Sequence, residues 1–185
     1  MKKLCGYCNA FHEVIRYKEL KTYDIKGTEV TAVITILKCK NCDNEIYDEQ
    51  IEIENDIILF DEYKRKNNLL TSTEIRTLRN KYGISQATLS KILGFGQKTI
   101  TRYENGAIQD IAHDNLLRLI HNQNNFHKLC VRAENILTNS ENQRLNSYFA
   151  QEIVKFKSEY DYELSKITYD TLTKGGEVLW KGLAN

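Results

Sequence analysis

Read for the alternation of apolar and polar positions, the chain falls into three stretches. From Glu13 to Asp24 and from Thr28 to Leu37, Val, Ile, Thr and Tyr recur with a partial period of two, and Lys26-Gly27 lies between the two runs. Period two marks strands with one buried face, and a short Gly-containing gap between them marks a hairpin. Glu45-Ile46-Tyr47 has the composition of a short third strand. Further on, Ile51, Ile57, Ile58, Leu59 and Tyr63 fit one face of a helix. That helix reads as a solvated connector between domains.

The middle stretch carries helical spacing with start and stop signals. Thr71-Ser72-Thr73-Glu74 has the capping-box form, Ile75, Leu78 and Tyr82 follow on one face, and Gly83 ends the helix. Ser85 can cap a second helix containing Leu89, Ile92 and Leu93, and Gly94-Phe95-Gly96 makes a tight turn. A third helix is expected from about Gln97 to Asn105 with Ile100 and Tyr103 inward. A fourth is expected from about Ile111 to Gln123 with Leu116, Leu117, Leu119 and Ile120 as its apolar side. In the last stretch, Phe126, Leu129, Cys130, Ala133, Ile136 and Leu137 form one stripe. Leu145, Tyr148, Phe149, Ile153 and Phe156 suggest another helix, and Leu164, Ile167, Tyr169, Leu172 and Trp180 continue the pattern less clearly. This stretch is either core packed on the bundle or an arm for dimerisation or a partner. The predicted class is α+β: a small β-hairpin domain with its connecting helix (1–66), an all-α bundle of short helices (67–125) and a helical extension (126–185).

Charge sharpens this division. The chain has 185 residues and a formal net charge of +1, yet residues 71–125 carry seven Lys or Arg against four Asp or Glu. The basic excess therefore sits on the predicted bundle, a mild pointer to nucleic acid. Between Asp43 and Glu62 nine acids occur with no Lys or Arg among them. The chain contains no apolar run long enough to cross a bilayer and opens without the apolar stretch of a signal peptide. A cytoplasmic protein without disulfides is expected.

Cys5-Gly-Tyr-Cys8 and Cys39-Lys-Asn-Cys42 are two C-x-x-C pairs. Two intervening residues let both sulfurs of a tight turn face one ion, and two such turns make the tetrahedral thiolate set of a structural Zn²⁺. A single pair would fit a redox dithiol as well, and isolated buried cysteines are the plain alternative. The predicted hairpin bridges the thirty residues between the pairs. Lys2, Lys3, Lys38 and Lys40 flank the cysteines and are expected to offset thiolate charge. His12 reads as a surface residue, because four cysteines complete the ligand set. Cys130 reads as a packed core thiol. With no open metal position and no cluster of acids and histidines, an enzyme is not expected.

With Ile100 and Tyr103 inward, Gln97, Lys98, Thr101 and Arg102 turn outward on the third helix. The second and third helices would thus form a helix-turn-helix. Arg and Lys match guanine O6 and N7, and Gln matches adenine. Ser85 and Gln86 at the first turn of the second helix, with Lys91, are expected at the phosphate backbone. A solvated helical face is the plain alternative.

The run Ser85-Gln86-Ala87, Lys91-Ile92-Leu93-Gly94-Phe95-Gly96 and Thr101-Arg102-Tyr103-Glu104-Asn105-Gly106 resembles the helix-turn-helix of the MqsA-type antitoxins, within the wider Xre and Cro repressor class. The paired cysteines with a hairpin between them resemble the zinc domain of the same family, so the likeness covers about residues 1–123. The resemblance implies a structural zinc, a toxin bound by the N-terminal domain, and a homodimer that represses its own operon at a palindromic operator. It places Arg102 at the family's base-reading arginine and Glu104 at a buried structural acid. Lys98 stands where the family often has a base-reading asparagine, which leaves the operator sequence open. The expected function is that of antitoxin and autorepressor, with a prophage-type regulator lacking any toxin as the alternative.

Overall fold

The computed structural model describes residues 1–173. They belong to two compact units, Met1–Thr138 and a second that begins at Asn139. The first is α+β, as the patterning predicts.

Four antiparallel strands in the order β1-β2-β3-β4 form its sheet: β1 Lys2–Cys5, β2 Ala10–Ile25, β3 Thr28–Cys39 and β4 Glu45–Ile46. The long hairpin turns on Lys26 (φ 51°) and Gly27 (φ 78°), both left-handed, as a two-residue turn matched to strand twist requires. Asp24 fixes the turn by accepting a hydrogen bond from the Gly27 amide at 3.0 Å. β1 is too short to show a period of two, and its pairing with Ala10–Glu13 depends on a contact that the sequence does not announce.

The connecting helix does more than was expected of it. Helix α1 (Glu49–Lys66), capped by Asp48, packs on β3 rather than standing in solvent. Val30, Ala32, Ile34 and Ile36 alternate along β3 into a core closed by Leu59, with Ile25 and Tyr63 at its margin. Ile58 is not on the packed face but is exposed, and Asn55, 2% exposed, lies within the packed face instead. Its side-chain amide accepts from the Thr35 N–H and donates to the Thr35 carbonyl, both at 2.8 Å. It thus occupies backbone groups on the outer edge of β3.

Five helices follow: α2 Ser72–Lys81, α3 Gln86–Leu93, α4 Thr99–Glu104, α5 Ile111–Leu119 and α6 Gln123–Ala133. The capping box of Thr71 and Glu74 forms as read, and Ser85 caps α3. Ile75, Leu78, Tyr82, Leu89, Ile100, Leu117, Ile120 and Phe126 are buried in the bundle. The expected fourth helix ends early. It stops at Leu119, which is exposed, and Asn122 caps the new helix α6 through its side chain. The Phe126 ring then stacks on Tyr82 at 3.8 Å, so the stripe through Phe126, Cys130, Ala133 and Leu137 is core of the first unit. Ile136 points outward.

Buried polar contacts join the sheet-bearing half to the bundle. Lys64, fully buried, donates to Asp61 at 3.0 Å and to Ser72 at 2.8 Å, and Asp61 also accepts from the Ser72 amide. Asp114 accepts from the Leu70 amide, Gln109 and Arg118. At Gly106 a Cβ would lie 3.0 Å from Cγ1 of Ile57 on α1, and the backbone φ of 106° strains any other residue there.

The second unit contains one long helix, α7 (Asn139–Thr173), which includes the positions from Leu145 to Phe156 read as helical. Ile153, Val154, Tyr160 and Tyr162 are exposed on it. Trp180 lies outside the described residues.

Candidate metal centre and nucleic-acid interface

The four cysteines of the two pairs come together at one end of the sheet. Cys5 ends β1 and Cys39 ends β3, while Cys8 and Cys42 follow in the turns beyond. Strand register brings the pairs together, because Cys5 lies opposite Ala10 and Cys39 opposite Val14 on the same β2. Each turn closes on a left-handed residue just after its second cysteine, Asn9 (φ 50°) and Asp43 (φ 57°). The four Sγ atoms all lie within 4.8 Å of one another, and Cys5 and Cys42 are 3.6 Å apart. Zinc–thiolate bonds of about 2.3 Å in a tetrahedron set sulfurs roughly 3.8 Å apart, so the donor set fits such an ion. The spacing is far too wide for a disulfide, and all four are free thiols.

The lysines around the cysteines do not serve them as expected. Lys40 pairs with Glu13 at 2.7 Å, Lys3 with Asp48, and Lys38 lies over the Tyr17 ring. Strand pairing brings these nearer partners, and they take up the charge. Asparagine amides face the sulfurs instead. The Asn41 backbone amide donates to Cys39 and its side chain to Cys8, both at 3.4 Å. Asn44, through backbone and side-chain hydrogen bonds, pulls the Cys42 thiol down to about 6. At Cys8 the Asn41 amide also lowers the thiol, but hydrogen bonds from the neighbouring thiols and burial outweigh it and push the group up to about 12. His12 is half-buried and not part of the cluster. Burial likewise pushes the Cys130 thiol up to about 12, as suits an inert core residue.

The second candidate site is the pair α3 and α4. Gly94 closes α3 in the left-handed conformation, and the chain turns directly into α4. α4 begins two residues later than expected, with Lys98 as its N-cap. Ile100 and Tyr103 are buried beneath it, so Gln97, Lys98 and Arg102 are held outward and exposed. Lys98 and Arg102 stand one turn apart, the Arg102 amide donating to the Lys98 carbonyl at 3.0 Å. Two cations at this spacing on a short projecting helix have the reach to probe base edges in a groove.

The sequence matches, over residues 1–132, the model of the family described as the antitoxin component of a bacterial toxin-antitoxin system, MqsA. The chain belongs to the MqsA antitoxin family. That family is one of regulators rather than enzymes. No curated protein matches the sequence. The matched span takes in the sheet, α1 and the bundle as far as the end of α6. Among the described residues no helix is long and apolar enough to cross a membrane.

In this MqsA-family chain, the expected contact residues fall into three groups. Gln97, Lys98 and Arg102 are free to face outward, whereas Gln86 and Thr101 are tied to each other. Thr101 donates to Gln86 at 2.8 Å, and Gln86 donates to the buried Glu104 at 2.8 Å. The pair is a strut between α3 and α4. Ser85 accepts from the Thr88 amide at 3.0 Å as a helix cap, and Lys91 is half-buried in the last turn of α3.

The sequence reading named Glu104 but missed what surrounds it. Arg79 donates to both of its carboxylate oxygens, at 2.6 and 2.9 Å, and Arg76 donates to its backbone carbonyl at 2.8 Å. Burial alone would raise the Glu104 carboxyl, but the Arg79 and Gln86 hydrogen bonds outweigh it and hold the group below its ordinary value. Arg76 and Arg79, three apart on α2, were a visible signal, but nothing local says which acid they reach. On the far side of α4, the Tyr103 hydroxyl bonds His113 at 2.7 Å, and the His113 ring lies 3.9 Å from that of Phe95.

Proposed function

We propose that this chain is the antitoxin and autorepressor of a type II toxin-antitoxin operon, binding a palindromic operator as a homodimer through α3 and α4. The observation that carries the proposal is the outward pair Lys98 and Arg102 on a helix whose inner face and last turn are fixed by Ile100, Tyr103 and the Glu104 network. A probe held so firmly loses little freedom on meeting a base edge. Lys98 and Arg102 read bases, Gln97 flanks them, and the first turn of α3 behind Ser85 together with Lys91 meets phosphates. Gln86 and Thr101 act at one remove by fixing the angle of α4.

The four cysteines hold Zn²⁺ in a closed, structural site. It supplies no chemistry there and fastens β1 and the β3–β4 turn to one point. The family membership supports a toxin partner for the N-terminal half.

The test is binding of the purified chain to its own promoter fragment, followed by fluorescence anisotropy. Wild type is expected to bind in a salt-dependent manner. The double variant Lys98→Ala with Arg102→Ala should lose at least about thirtyfold in specific affinity, since each good base contact contributes roughly 1–3 kcal/mol. Its thermal unfolding should be unchanged, because both side chains are exposed. Unaltered operator affinity in this variant refutes the assignment of α4.

A further inference from the structure

The two long edges of the sheet are treated differently. On the outer edge of β3, β4 pairs with Leu37 and Lys38, Asn55 occupies both backbone groups of Thr35, and Lys66 donates to the Glu29 carbonyl at 2.7 Å. On the outer edge of β2, β1 pairs only with Ala10–Glu13, and the Met1 carbonyl takes the Val14 amide. From Ile15 to Ile25 no described strand or side chain pairs with that edge.

Which backbone groups face out follows from the hairpin. Ile25 and Thr28 flank the two-residue turn and exchange hydrogen bonds, and bonded pairs then alternate along the ladder. The odd residues of β2 therefore bond β3. Arg16, Lys18, Leu20, Thr22 and Asp24 turn their N–H and C=O groups to the open edge. Such an edge is a template for another strand.

The residues along it are self-complementary about Leu20. In an antiparallel pairing with a second copy centred there, Arg16 lies opposite Asp24, Tyr17 opposite Tyr23, Glu19 opposite Lys21 and Ile15 opposite Ile25. Both charged pairs join opposite signs, and the aromatic and aliphatic residues meet their own kind. The symmetry axis falls on a residue whose backbone groups face outward, so the central Leu20 pair is a hydrogen-bonded one. Leu20 is 67% exposed, and its neighbour across the hairpin, Val33, is 51% exposed. Leu20 would gain cover from the partner strand's own Leu20.

We propose that the open edge of β2 is a self-association surface, on which two copies pair antiparallel about Leu20 to form one continuous sheet. This contact is separate from the DNA-binding face and holds or fails independently of it. Two copies joined there present two bundles, so an operator-bound molecule can recruit another without any contact between helices.

The test is a register-specific cross-link in the full metal-loaded chain. Directly opposed, hydrogen-bonded residues have Cα atoms about 5.5 Å apart, within the range a disulfide spans. Mild oxidation of Leu20→Cys should give a covalent dimer on a non-reducing gel, well above the wild-type level. Thr22→Cys, whose two copies would stand roughly 14 Å apart across the axis, should stay at the wild-type level. Adding Lys18→Pro to Leu20→Cys should abolish the cross-link. Its lost N–H faces outward, so the hairpin keeps its own hydrogen bonds, to be checked by circular dichroism. Equal cross-linking at both positions, none at Leu20, or a cross-link from Leu20 to a different protein overturns the proposal.

Discussion

The cysteine end of the sheet and the helical bundle lie in one compact unit, yet they are held by different means. The cysteine end has few buried side chains. Leu4, Tyr7, Phe11 and Tyr47 around it are all exposed, and beyond the buried Leu37 the apolar face of the hairpin runs from Ile36 away from the thiols. The bundle has an extensive apolar core, a buried polar network around Glu104 within it, and two more, around Asp61 and Asp114, that join it to the sheet-bearing half. One region depends on a single point of attachment, the other on many contacts that hold each other in place. Treatments that spare one should therefore damage the other.

The largest effect is expected from chelation. Removing the zinc proposed for the four cysteines should release β1, both cysteine turns and β4, since a structural zinc contributes on the order of 10–16 kcal/mol to small domains of this kind. Amide exchange should rise sharply across residues 1–14 and 38–47 while the amides of α2, α3 and α6 stay protected. If the bundle loses protection together with the cysteine end, the two regions are not separately held.

The converse treatment is Glu104→Ala. It leaves Arg79 without its carboxylate and should destabilise the bundle by about 3 kcal/mol in urea unfolding, with zinc content unchanged. Acid approaches the same site by another route. The Glu104 carboxyl is held below its ordinary value of 4.5, so the folded state binds its proton less readily than the unfolded chain does. Its contribution is complete above that value and is lost as pH falls through the lower folded value. Asp114, for which the Leu70 amide, Arg118 and Gln109 outweigh burial, follows the same sign below 3.8. The acid limb of a stability curve should therefore flatten in the Glu104→Ala variant.

The smallest effect is that of Ser85→Ala. It removes the cap of α3 and should cost about 1 kcal/mol. A larger loss of operator affinity than this stability change explains would mark a direct phosphate contact.

The features that the sequence reveals are those governed by near neighbours. The hairpin turn, the Thr71–Glu74 capping box and the spacing of the cysteines are each decided within a few residues, and each folds as read. Hidden features depend on distant contacts. Lys3 and Lys40 flank cysteines in the chain, but the fold hands them to Asp48, the cap of α1, and to Glu13 on β2. Gln86 has the right place for a phosphate contact until Thr101 and Glu104, fifteen and eighteen residues on, claim its amide. α1 has an interrupted apolar face because Asn55 performs a backbone-pairing task there, which no periodicity of hydrophobic residues can register.

Gly106 gives the molecule a constraint on its modularity. Just beyond the end of α4, this residue is the bare spot against which Ile57 of the sheet's covering helix rests: an added methyl group would meet Cγ1 of Ile57 at 3.0 Å, on a backbone whose φ of 106° already favours glycine. A foreign sheet grafted onto this bundle, or this sheet onto a foreign one, would have to reproduce that gap. The two halves have distinct anchors but a common seam, and they are exchangeable only as a matched set.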